Sequence, residues 1–341
     1  MILGSSMPGG YSPAVLSFEN GIGILGMDAP LDPRRRCDRA IVTHAHSDHV
    51  RRHRRWVTSP GTAVLCARRW NAADLEVHEF HAPWREGEAT VTLLPAGHIL
   101  GSAMVLIECR GLRVLYTGDF RLRPSATAEP CEPIAADVLI TECTFGEPRY
   151  RFPDRAAVID DLCTFVEETL AQESAPILVA YSLGKAQEIA RVMGDRGYRV
   201  ALHPRAWTML EAYRDIGVAF ENCECYAMGP IGRGVLIVPP GPAGATLARR
   251  FRRRRTAFLS GWALGPPGRF GRYDAAFAIS DHADFGELLE MVDRVKPRRI
   301  YTLHGSDAFA ERLRARGHDA WPAGAHAPPP LLPEVVQLSL L

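Results

Sequence analysis

The chain has 341 residues, 47% of them hydrophobic, and a formal net charge of +1 at pH 7, which is ample sequence for one large hydrophobic core or two ordinary ones. No stretch supplies the roughly 18 uninterrupted apolar residues of a membrane span, and the opening MILGSSMPGGYSPAVLSFENG has no basic region leading into an apolar one. The eight scattered cysteines suit reduced thiols better than a disulfide framework, so a cytoplasmic protein with no membrane partner is expected.

The first 145 residues hold short β-type runs broken by Gly and Pro: AVLSF (14–18), RAIVTHA (39–45), TAVLC (62–66), ATVTLLPAG (89–97), AMVLIECRG (103–111), RVLYTGD (113–119) and DVLITEC (137–143). They read as strands of stacked sheets. From about 150 the style changes to helix and strand in alternation. PDRAAVIDDLCTFVEETLAQ places Val158, Leu162, Phe165, Val166 and Leu170 on one helical face after a Pro-Asp start. APILVAYS, a helix from about Gly184, RVALHP, a helix from about Arg205 and GVLIVPPG then follow, the order of a parallel α/β unit. TAFLSGW precedes the Gly/Pro cluster ALGPPGRFG, a boundary or mobile loop, after which AFAISDH, a helix over 284–295 and RRIYTLHG resume the first style. AGAHAPPPLLPEVVQ is a Pro-rich segment with no expected structure.

The chemistry concentrates in VTHAHSDHVRRHRR, residues 42–55. His44, His46, Asp48 and His49 follow a strand where the chain turns into a loop, so three imidazoles and a carboxylate converge on one volume instead of alternating across a pleat. Four candidate ligands exceed what one open tetrahedral site uses, which argues for two adjacent metals. His98, Asp119, His282 and His304 each follow another β-type run and precede a turn. Cys223 and Cys225 lack a second Cys or His pair, so no separate zinc site is expected there. Arginine is clustered in RRRCDR (34–39), RRHRR (51–55) and RRFRRRR (249–255); any single run is ordinary surface, but three suggest a polyanionic substrate.

The series THAHSDH, PAGHILGSAM, YTGDFR, TECTFG, SDHADF and LHGS resembles the metallo-β-lactamase fold in its β-CASP nuclease branch. YSLGKAQEI resembles a segment of the β-CASP cap, and FGEPRYRFP with SGWALG is similar to the bacterial ligase-associated DNA exonucleases. The resemblance implies an α/β architecture: an αββα sandwich split between residues 1–147 and 272–322, an inserted β-CASP-like α/β cap at 148–271, and a Pro-rich C-terminal tail at 323–341. By the same resemblance His44, His46 and His98 hold one metal, Asp48, His49 and His304 a second, and Asp119 bridges them. Nitrogen and carboxylate ligands of this mixture suit two divalent ions, Zn²⁺ or Mn²⁺, and such a pair activates a hydroxide nucleophile for phosphodiester hydrolysis, in which Asp48 also takes part. His282 then serves as the general acid, oriented by Glu142. Lys185 and Ser182, at a strand-to-helix turn, are candidate phosphate contacts, as are Arg51 and Arg52 with Arg54 and Arg55.

Three functional classes follow. The first is a DNA exonuclease that trims single-stranded DNA or DNA ends in repair, functionally linked to an ATP-dependent DNA ligase, with a lean towards 5′ to 3′ digestion. The second is an RNA-processing β-CASP ribonuclease, because His304 in LHGS matches the RNA-cleaving members. The third is a small-molecule metallohydrolase of the thioesterase or lactamase type, against which the cap and the arginine runs count.

Overall fold

The computed structural model describes residues 16–72, 74–266, 272–324 and 327–328. The chain begins with the hairpin strands β1 (Leu16–Ser17) and β2 (Gly23–Ile24) and the short strands β3 (Arg39–Ile41) and β4 (Arg55–Thr58). Helix α1 (Pro60–Trp70) follows, then β5 (Leu75–Val77), β6 (Trp84–Glu86), β7 (Ala89–Pro95), β8 (Ala103–Cys109), β9 (Leu112–Tyr116) and β10 (Val138–Glu142). The TAVLC run, expected as a strand, lies inside α1. Ser59 caps that helix by accepting from the Thr62 amide, and Pro60 occupies its first turn, where a missing N–H costs nothing. Five apolar residues cannot separate a buried helix from a buried strand by periodicity; the cap decides.

Strands β3, β4 and β5 form a parallel three-stranded sheet, which faces a seven-stranded sheet in the order β18-β17-β10-β9-β8-β7-β6. Its last members, β17 (Arg299–Leu303) and β18 (Ala320–Pro322), come from the far end of the chain with helices α6 (Phe285–Val295) and α7 (Ala308–Arg314). Period-2 alternation sends the two faces of this large sheet to different cores. Val105 and Ile107 of β8, Val114 and Tyr116 of β9 and Ile140 of β10 pack with Ile41 and Val57 of the small sheet. Met104, Leu106, Leu115 and Leu139 pack instead under Leu288 and Met291 of α6 and Phe309 and Leu313 of α7. Both faces are buried, which explains why these strands read as continuous apolar runs.

Between β10 and α6 the chain builds a second unit. Helix α2 (Arg155–Ala171) is capped by Asp154 and buries Val158, Leu162, Phe165 and Val166, the face that spacing predicts. Strands β11 (Ala175–Val179), β12 (Arg199–Leu202), β13 (Cys223–Cys225), β14 (Gly234–Val238), β15 (Arg254–Leu259) and β16 (Ala275–Phe277) make one parallel sheet in the order β13-β12-β14-β11-β15-β16. Helices α3 (Lys185–Asp195), α4 (Pro204–Asp215) and α5 (Pro242–Ala248) complete it. β16 pairs with β15, so this sheet runs past the expected boundary at residue 271. Most of the ALGPPGRFG cluster and the Pro-rich tail lie outside the described residues. The eight cysteines are free thiols, and no helix among the described residues is long and apolar enough to cross a membrane.

The inserted unit is fastened to the sandwich by buried charge. Arg121, just past β9, makes two hydrogen bonds to Glu188 of α3 (3.1 and 2.8 Å), and Arg155 of α2 reaches the same carboxylate at 2.8 Å. Lys185 pairs with Asp281 at 3.0 Å, both nearly fully buried. Burial works against a charged Glu188, but the Arg121 and Arg155 guanidiniums overcome it and hold the carboxyl below its ordinary value. The units pack tightly at Gly184, whose φ of 85° belongs to the left-handed region and where any Cβ would collide with Ile99.

Glu188→Ala leaves the buried Arg121 and the half-buried Arg155 guanidiniums without their carboxylate and is expected to cost about 3–5 kcal/mol of stability, read as a lowered urea midpoint. Because the Glu188 pKa is depressed on folding, its contribution is complete at neutral pH and is lost as pH falls through the folded value. The difference between wild type and variant should therefore shrink in acid; a constant difference would remove the charge network from this account.

Candidate metal centre

Strands β7, β9, β10 and β17 all run in one direction, since β10 is parallel to β9 and β17 while β8 is antiparallel to both β7 and β9. Their C-terminal ends therefore meet along one edge of the large sheet. His98 follows β7, Asp119 follows β9, Glu142 ends β10 and His304 follows β17. The His44–His49 loop arrives at the same edge from β3. At Gly118 the chain turns with φ 54° beneath Thr43, which directs Asp119 into the group.

Asp119 lies at the centre. Its Oδ2 is 3.5 Å from His44 Nε2, 3.4 Å from His49 Nε2 and 3.8 Å from His98 Nε2, and its Oδ1 is 3.5 Å from His304 Nδ1. His44, His46, His98 and Asp119 form one set with ligand atoms close enough for a single ion; His49, Asp119 and His304 form another. Asp48, expected in the second set, stays outside it: its side chain is largely exposed and sits 4.0 Å from His49 Nε2.

The hydrogen bonds fix which nitrogens carry protons. A backbone carbonyl only accepts, so His46 donates through Nε2 to Leu183 O (3.2 Å) and His98 through Nδ1 to Asp281 O (2.8 Å). Burial lowers the pKa of both rings, keeping them neutral. The remaining nitrogens, His46 Nδ1 and His98 Nε2, thus point lone pairs at each other across 3.0 Å. Two acceptors at that distance repel unless a cation sits against them. His44 and His49 repeat the pattern: Thr43 gives its hydroxyl proton to Asp32 (2.6 Å) and can only accept from His44 Nδ1 (3.1 Å), while His49 Nδ1 donates to Asp32 (2.7 Å). This leaves His44 Nε2 and His49 Nε2 buried without hydrogen-bond partners. Such outer partners orient imidazole ligands and set their tautomers. The residues present fit divalent cations.

Asp32 had no signal in the sequence. It holds the Thr43 amide, His49 and the Tyr116 hydroxyl (3.0 Å), and nothing in LDPRRR marks it as part of a site. Burial disfavours a charged His49, yet the Asp119 and Asp32 carboxylates together push its pKa well above the ordinary value. Asp119 is held well below its own: burial raises it, but His49 and His282 more than offset that. The site favours positive charge at its centre.

His282, on the loop between β16 and α6, presents Nδ1 to both oxygens of Glu142 (3.2 and 3.1 Å). Glu142 is itself fixed by the Phe120 amide at 2.9 Å. Burial lowers the His282 pKa and the neighbouring carboxylates of Glu142 and Asp119 raise it, with a net result of about 9. The pairing expected from TECTFG and SDHADF is present.

Of these groups His46, Asp119 and His282 line a cleft of about 520 Å³ between the two units, with Asp48, Arg69, Tyr181, Ser182 and Trp262 on its walls. Ser182 and Lys185 both line it, and Lys185 commits its ammonium to Asp281. Arg51 donates to the carbonyls of Arg34, Ser47 and Val50 (2.9, 2.7 and 2.7 Å) and so braces the histidine loop. Arg55 pairs with Asp74 at 3.0 Å, and Arg54 lies 3.7 Å from Asp38; Arg52 is exposed. Two cleft residues escaped the sequence reading. Tyr181 is 49% exposed, and Arg69 donates to Ala45 O (3.2 Å) beside the Trp70 ring.

A paired-sheet sandwich carrying His/Asp sets along one sheet edge, roofed by an inserted parallel unit, is the architecture of the metallo-β-lactamase fold. Residues 276–327 match the family model described as the Zn-dependent metallo-hydrolase RNA specificity domain. Over 320 residues, 92% of this chain and 31% of the relative, the sequence is 40% identical to a "Probable DNA ligase" of Opitutus terrae. It is 33% identical to cleavage and polyadenylation specificity factor subunit 3 of Dictyostelium discoideum, over 66% of this chain and 36% of the relative. The chain thus spans about a third of the length of these curated relatives. The crystal structure of a protein of unknown function from Enterococcus faecalis V583 superposes with a TM-score of 0.51 at 16% identity, covering 78% of this chain and 75% of that one. The chain belongs to the β-CASP branch of the metallo-β-lactamase fold.

Because its two oxygens lie between both sets, Asp119→Ala is expected to lower the metal content of both together, from about two divalent ions per chain. Elemental analysis of the purified variant checks this; retention of full metal content would contradict a bridging position.

Proposed function

We propose that this chain is a metal-dependent phosphodiesterase that removes nucleotides from the ends of single-stranded DNA. The observation that carries the hydrolytic reading is the meeting of two cation-favouring His/Asp sets at Asp119, which opens with His46 and the carboxylate-held imidazolium of His282 onto one cleft. Two divalent ions, Zn²⁺ or Mn²⁺, held by His44, His46 and His98 and by His49 and His304 with Asp119 between them, Asp48 joining the second set by turning its exposed carboxylate inwards, would lower the pKa of an attacking water and neutralise charge on the phosphoryl oxygens.

The chain's own residues do the rest. Glu142 holds Nδ1 of His282, fixing the ring and leaving Nε2 to pass a proton to the leaving oxygen. A pKa near 9 keeps that proton in place at neutral pH; positive charge gathered at the neighbouring sets brings it back towards neutrality, which eases its release. Arg69 offers a cation to a backbone phosphate, and the exposed ring of Tyr181 offers a face on which a base can stack. Ser182, Lys185 and Arg52 stay within the substrate-contact proposal, Lys185 in the weaker position because of its ion pair. We place the inserted cap between residue 148 and β16.

DNA is preferred because the relative whose similarity covers 92% of this chain carries the name of a probable DNA ligase, and trimming of ends is the reaction that prepares a strand for sealing. RNA is the second reading, favoured by the description of the family model over residues 276–327. The 2′-hydroxyl is what would distinguish the two at one nucleotide.

End-labelled single-stranded DNA and RNA of one sequence, with Zn²⁺ or Mn²⁺ added in turn, separate these readings. Mononucleotides or short products should appear faster from DNA, and closed single-stranded circles should survive. Faster RNA digestion or nicking of circles would replace the first reading by the second. His282→Ala should retain its metals and lose about 10²-fold to 10⁴-fold in turnover; loss of a metal would make His282 a ligand instead.

A further inference from the structure

At Pro239 the cleft adjoins a second groove, about 470 Å³ in volume, on the inserted unit. Arg249, Arg254, Arg272, Thr256 and Tyr273 line it, together with small residues of the turn into α5. Strand alternation explains why only part of the RRFRRRR run faces this way. Arg254 and Thr256 point into the groove. Arg255, between them, points to the other face, where its guanidinium lies 4.7 Å from the Phe165 ring and 3.4 Å from Glu168. Arg253 pairs with Glu173 at 3.1 Å.

Acids at α2 and just past it thus neutralise Arg253 and Arg255, while the groove arginines bond to groups that carry no charge. Arg249 donates to the Thr246 hydroxyl (3.0 Å), Arg254 to Phe251 O (2.8 Å), and Arg272 lies 4.9 Å from the Tyr273 ring. Among the described residues none of the three has an acidic partner. The nearby Asp274 carboxylate accepts from the amide and hydroxyl of Thr256 (2.7 and 2.8 Å).

We propose that this groove is a track for the backbone of a single nucleic-acid strand whose end lies in the cleft. The inference rests on the reading that the cleft cuts nucleic acid, and adds where the rest of the strand runs. Three exposed cations lining one groove that adjoins the cleft suit a flexible polyanion better than a small ligand that must be enclosed. The half-buried Tyr273 ring, stacked on Phe258 at 5.0 Å and 8°, gives the track a rigid aromatic wall of the kind that tolerates any base.

The test compares Arg249→Gln/Arg254→Gln/Arg272→Gln with its parent, both with metals bound and both carrying His282→Ala to slow cleavage during binding measurements. For a 20-nucleotide single strand the triple variant should bind more weakly, and the plot of log affinity against log salt should flatten by about 2, since each single-strand phosphate contact contributes about 0.7. A trinucleotide should bind both proteins alike. With His282 restored, hydrolysis of bis(p-nitrophenyl) phosphate should be unchanged by the three substitutions. An unaltered salt slope with the 20-mer would overturn the track and leave the hydrolytic reading intact; a parent protein that neither binds strands nor cleaves the small diester would overturn both.

Discussion

A carboxylate buried among imidazoles is the constraint on which the rest of this structure depends. Asp119 is 3% exposed and has ring nitrogens of His44, His49, His98, His282 and His304 between 3.4 and 3.9 Å from its oxygens. A group of this kind is stable only if its charge is answered and each ring is held from behind. The surrounding imidazoles answer the charge, and Asp32 holds His49, Glu142 holds His282, and the backbone carbonyls of Leu183 and Asp281 hold His46 and His98. The strand directions of the large sheet make this possible, because four strand ends deliver their side chains to one edge.

The inserted unit is therefore more than a roof. Leu183 belongs to the turn between β11 and α3, and its carbonyl fixes the tautomer of His46; Asp281, whose carbonyl fixes His98, is gripped through its side chain by Lys185 of α3. Orientation of two candidate ligands thus depends on docking of the cap, and docking depends on the Arg121–Glu188–Arg155 network. Through these contacts the second unit helps to set the ligand geometry.

Much of this was legible in the sequence where local pattern carries the information. HxHxDH at a strand end, single His or Asp residues after other β-type runs, and the change to alternating helix and strand near residue 150 all report short-range arrangements. What escaped depends on partners far apart in the chain. Asp32 meets His49, Lys185 meets Asp281 and Arg51 reaches the Arg34 carbonyl, and none of these pairings leaves a periodic trace. TAVLC became helix because Ser59 and Pro60 start one there, outside the apolar run itself. The arginine runs were visible as charge, yet only the pleat of β15 divides them into residues neutralised by α2 and residues facing the groove.

The central claim is that two cations share Asp119. Anomalous diffraction from crystals grown with Zn²⁺ or Mn²⁺, recorded at the metal's absorption edge, tests it most directly. Two peaks per chain are expected, one against His44, His46, His98 and Asp119, the other against His49, His304 and Asp119. A single peak, or peaks only elsewhere, such as beside Cys223 and Cys225, would contradict it.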